Sequence, residues 1–92
     1  MTTATEIKKL HTNLEAAEFV FENAYAAYAQ DEENEELGII FDRAESDLIE
    51  AEQSFIKALV DFTGGVLDRR DVRRMLAFKR TELDSLVHRL AA

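Results

Sequence analysis

The chain has 92 residues, no Cys, no Pro and three Gly, with a formal charge of −8. This length suits one domain with one core, and the missing cysteine excludes disulfides, thiolate chemistry and cysteine-based zinc sites. The longest uncharged apolar stretch, 24–29, is too short for a membrane span or a signal core, so a soluble, cytoplasmic protein without membrane partners is expected.

At the N-terminus, Thr3-Ala4-Thr5-Glu6 has capping-box spacing and opens a first helix expected over about 4–30. Its apolar positions Ile7, Leu10, Leu14, Ala17, Phe21, Ala24 and Tyr28 alternate in steps of three and four, which is a heptad seam. Phe19, Val20 and Ala27 fall away from that seam, and the helix is apolar almost all round between residues 16 and 29. A helix of this kind needs a further neighbour, and a second copy is expected to supply it, with Phe19, Val20 and Ala27 in the dimer interface.

The acidic run Asp31-Glu32-Glu33-Asn34-Glu35-Glu36 marks a turn and the start of a second helix, about 34–62, where carboxylates suit the positive end of the helix dipole. A second heptad seam follows at Leu37, Phe41, Ala44, Leu48, Ala51, Phe55, Ala58 and Phe62. Folding the chain back between Glu32 and Glu33 sets residue i opposite residue 65 − i, and most layers then pair a large residue with a small one: Leu14 with Ala51, Ala17 with Leu48, Phe21 with Ala44. A long antiparallel coiled-coil hairpin is the expected scaffold.

Thr63-Gly64-Gly65 reads as a left-handed helix stop, and Asp68 with Asp71 as the cap of a third helix over about 69–90, stapled by Leu67 and Val72. Its apolar residues Val72, Leu76, Leu83, Leu86, Val87 and Leu90 are expected to cover Ile49, Ile56 and Val60 on the second helix. The fold class is therefore all-α, a three-helix bundle on a coiled-coil hairpin that dimerises into a larger bundle.

Charge is divided along the chain. Residues 1–62 hold 15 carboxylates against Lys8, Lys9, Arg43 and Lys57, whereas residues 63–92 hold seven cations against four carboxylates. Arg69, Arg70, Arg73, Arg74 and Arg80, with Phe78 on the outer face, form a candidate binding surface, because arginine beside an aromatic recurs at interfaces. Asp31, Glu32, Glu33, Glu35 and Glu36 form a second candidate surface at the turn. Lys79 falls in the apolar seam of the third helix and is expected to reach its edge.

No pattern carries a reaction. Ser46, Ser54 and Ser85 lack a glycine-rich elbow and an adjacent base, and Gly64-Gly65 lacks the strand and Lys of a phosphate loop. His11, Glu18, Glu45 and Glu52, with Glu15 and Glu22 nearby, share one flank of the hairpin but lack the Glu-x-x-His spacing of di-metal bundles, so His11 is expected to pair with Glu52. The sequence thus points to a non-enzymatic protein without cofactor or metal, acting as an adaptor, regulator or inhibitor by protein–protein binding. The alternatives are a nucleic-acid-directed regulator, mimicking nucleic acid with its acidic face or touching it with the basic helix, and a carboxylate-bridged metal protein.

Overall fold

The helix boundaries follow from the caps. In the computed structural model, which describes residues 1–90, Thr3 Oγ1 accepts the Glu6 amide at 3.2 Å and α1 spans Ala4–Gln30. Asn34 Oδ1 accepts the Leu37 amide and opens α2, Glu35–Phe62. That helix closes in a Schellman motif, with the Gly65 amide donating to the Val60 carbonyl and the Gly64 amide to that of Asp61. Gly64 has the positive φ, 62°, that the motif requires after the cap, and Gly65 follows at 87°, a conformation side chains resist. Asp68 and Asp71 then form a reciprocal capping box at the start of α3, Arg69–Phe78.

The single third helix expected over 69–90 is two helices. Lys79 leaves helical geometry at φ −133°, ψ 42°, and α4, Arg80–His88, continues from it in a new direction. The bend keeps the hydrogen bonds on either side of it, since the Lys79 amide donates to Met75 O and its carbonyl accepts from Leu83 N. The bend coincides with a change of neighbour: α3 packs on α2 whereas α4 packs on α1. Lys79 itself is exposed at the bend and pairs with no carboxylate among the described residues.

The chain is all-helical, with four helices and no strand among the described residues, and none of these helices is long and apolar enough to cross a membrane. The Thr2 amide, just before α1, donates to Asp61 near the end of α2, and contacts between α1 and α2 run from the rings of His11 and Phe55 to Tyr28 stacked on Phe41. The core lies at the end nearest the termini, where Ile7, Leu14, Phe55, Ile56, Leu59, Val72, Leu83 and Val87 are buried and all four helices contribute. Toward the acidic turn only Ala24 and Ala44 are buried, so half of α1 and α2 projects as a bare two-helix arm from a molecule 46 Å long.

Gly38, in the first turn of α2, has ordinary negative φ, and a Cβ there would meet Tyr28 Cε1 at 3.5 Å, a normal contact. Gly38→Ala should therefore stabilise the fold by about 0.5–1 kcal/mol through lower backbone entropy in the unfolded chain, seen as a higher urea midpoint at unchanged slope.

Candidate functional site

Two charged clusters are exposed, and the fold sets them at opposite ends. Asp31, Glu32, Glu33, Glu35 and Glu36 lie at the tip of the arm, where the Asn34 side chain reaches Asp31 at 3.4 Å. Arg69, Arg70, Arg73 and Arg74 are exposed on α3, which lies against the far half of α2. None of these four arginines makes an ion pair among the described residues. The carboxylate-rich tip is some twenty residues of helix, about 30 Å, from the α3 contact, and the nearer Glu52, which lines the same trough as Arg73, forms no ion pair with it.

Helical spacing sorts the arginines into two rows. Arg69, Arg73 and Ala77 face a trough between α2 and α3, while Arg70, Arg74 and Phe78 point outward, Phe78 being 84% exposed. One stretch of the trough is lined by Gln53, Ser54, Ile56, Lys57, Arg69 and Arg73. The next shares Gln53, Ile56 and Arg73 and adds Ile49, Glu52, Leu76 and Ala77. Together the two stretches form an open trough lined by Ile49, Ile56 and Leu76, by three cations, Lys57, Arg69 and Arg73, and by one carboxylate, Glu52.

Arg80, which its spacing groups with those arginines, is turned inward by the bend at Lys79. Its Nη1 and Nη2 donate to the two Glu18 oxygens at 2.6 and 2.7 Å, and its Nε donates to Asp84 Oδ1 at 2.8 Å. The bidentate bond to Glu18 raises the Arg80 pKa above its ordinary value despite partial burial. The same Asp84 oxygen lies 2.7 Å from Nε2 of His11, and Glu15 Oε1 lies 3.2 Å from its Nδ1. Burial acts to raise the Asp84 pKa, but the bonds from Arg80 and His11 and their charges outweigh it and hold the carboxyl below its ordinary range.

His11 is 2% exposed and was expected beside Glu52; the structure corrects that pairing to Asp84 and Glu15 because α4, carrying Asp84, docks on the α1 flank. The carboxylate flank does not converge as a metal centre: among the described residues no group of three or more His, Cys, Asp or Glu side chains is placed to hold an ion. Glu18 is held by Arg80 and His11 by its two carboxylates. The network was partly readable, since Arg80 and Asp84 have the spacing of a helical ion pair, but its partners on α1 needed the docking direction of α4.

Phe19, Val20 and Ala27 are all exposed on α1, Phe19 at 67%. Val20 follows the buried His11 by nine residues, two and a half turns, and so lies on the flank opposite α4. Ile40 precedes Ile49 by the same interval on α2 and is also exposed. No family model, no curated protein and no solved structure matches this chain.

Proposed function

We propose that this chain is a non-enzymatic interaction protein that takes an acidic, amphipathic segment of another protein into the trough between α2 and α3. The observation that carries this reading is the set of α3 arginines left without carboxylate partners beside an aliphatic floor. A solvated basic helix needs no such floor, whereas an amphipathic segment would place apolar side chains on Ile49, Ile56 and Leu76 and carboxylates on Lys57, Arg69 and Arg73. The scaffold in this reading is an antiparallel coiled-coil hairpin of α1 and α2, buttressed by α3 and α4 and doubled in a homodimer. The strongly acidic body disfavours direct nucleic-acid binding.

The competing surface is the turn at 31–36, through which a nucleic-acid mimic would act. Selection from a helical peptide library separates the two. The expected outcome is enrichment of acidic amphipathic peptides, whose affinity falls about tenfold or more in the Arg69→Glu, Arg73→Glu double variant and holds in Glu32→Lys, Glu33→Lys. Basic peptides whose binding is lost on reversing the turn would replace this reading with mimicry.

A further inference from the structure

The outer face of α1 is unlike every other exposed helical face of the molecule. Asn13, Ala16, Val20, Asn23, Ala27 and Gln30 recur in steps of three and four, which is a second heptad seam, and all six are exposed. None of them is charged. The carboxylates of this stretch, Glu15, Glu18 and Glu22, lie toward the opposite flank, where Glu15 meets His11 and Glu18 meets Arg80. By contrast, the outer face of α2 carries Arg43, Asp47, Glu50 and Lys57, and that of α3 carries its arginines.

Charge returns only at the ends of the seam. Lys9 lies one step before Asn13, with Lys8 beside it, and these are the only two cations before Arg43. Neither forms an ion pair among the described residues. Past Gln30 comes the acidic turn Asp31-Glu32-Glu33.

We infer that this face binds the same face of a second copy, the two α1 helices running antiparallel about a two-fold axis that sets residue i opposite residue 43 − i. The seam is a palindrome under that operation: Asn13 meets Gln30, Ala16 meets Ala27, and Val20 meets Asn23. A two-fold contact repeats each pair twice, so the like-with-like pairs, Ala16 with Ala27 and the amides Asn13 with Gln30, occur at both ends and flank a central Val20 beside Asn23. The alanine pairs let the helix axes approach closely at two symmetric points, and Phe19 packs at the margin. Charge selects the direction. Antiparallel packing brings Lys8 and Lys9 of each copy alongside the acidic turn of the other, whereas parallel packing would set lysines on lysines and carboxylates on carboxylates. Charge also selects the face, because two molecules of net charge −8 repel wherever their carboxylates meet, and this is the face that brings none in its middle.

The inference rests on the homodimer reading above and is independent of the α2–α3 trough. The protein has no cysteine, so single-cysteine variants report contacts without background. Ala16→Cys and Ala27→Cys chains, mixed, allowed to exchange and oxidised, should give a disulfide-linked heterodimer, while each alone stays uncrosslinked because its own copies lie about 16 Å apart along the axis. Val20→Glu, at an exposed position, should convert the dimer to a monomer by light scattering with helicity unchanged. A dimer that forms without the mixed crosslink, or that survives Val20→Glu, overturns this face and register while leaving dimerisation standing. A monomer at roughly 100 μM, a concentration at which a specific dimer assembles by mass action, overturns both and leaves the peptide trough to be judged by its own binding assay.

Discussion

Phe55→Ala should lower the free energy of unfolding by about 3–5 kcal/mol, the range for removing a buried aromatic from a core that cannot collapse around the gap. Phe55 is fully buried, and its ring lies 5.8 Å from that of His11. It belongs to the cluster in which Ile7 and Leu14 of α1, Ile56 and Leu59 of α2, Val72 of α3 and Leu83 and Val87 of α4 come together. Removing it leaves a void shared by all four helices, so no single side chain can swing in to fill it. Phe41 provides the internal control. It stacks on Tyr28 and touches Phe21 and Tyr25, but it is only half-buried in the two-helix arm. Phe41→Ala should therefore cost clearly less in urea denaturation. Equal costs would mean that the arm, and not the four-helix end, carries the stability.

Leu83→Ala is expected to cost about 2–4 kcal/mol and to act locally. The α4 helix has nine residues and no side-chain hydrogen bond at its N-cap, Lys79, so it is too short to persist in isolation. What holds it is the burial of Leu83 and Val87 together with the ties from Arg80 to Glu18 and from Asp84 to His11. Weakening the apolar half of that attachment should release α4 before the rest unfolds. Trypsin cleavage after Lys79 and Arg80 should then accelerate by much more than cleavage after Lys8, Lys9 or Arg43, with most of the helical circular dichroism retained. Uniform acceleration at all sites would show instead that α4 unfolds only with the whole molecule.

The sequence made most of the local structure legible because local structure has local causes here. Thr3, Asn34 and Asp68 are capping residues read from their own spacing, and Gly64-Gly65 stops α2 in the way adjacent glycines after an apolar helix usually do. The bend at Lys79 has no such signal. Between Arg69 and Leu90 there is no Gly or Pro, and Val72, Leu76, Leu83 and Val87 would share one face of an unbroken helix. The structure breaks it at Lys79, where the packing passes from α2 to α1. That one unforeseen bend accounts for the two misplaced side chains. It turns Arg80 inward to Glu18, and it brings Asp84 to His11 across 73 residues of sequence in place of Glu52. The arginines upstream of the bend remain on the surface, as their spacing in α3 alone requires.

The reading of α3 as a docking surface stands or falls on where a ligand binds. Amide and side-chain NMR spectra of labelled protein, recorded during titration with an acidic amphipathic helical peptide, locate the contact directly. Saturable shifts at Gln53, Ile56, Lys57, Arg69, Arg73 and Leu76 are expected, weakening as salt is raised. Shifts confined to the acidic turn at 31–36, or a trough that stays silent as peptide accumulates, would contradict the assignment.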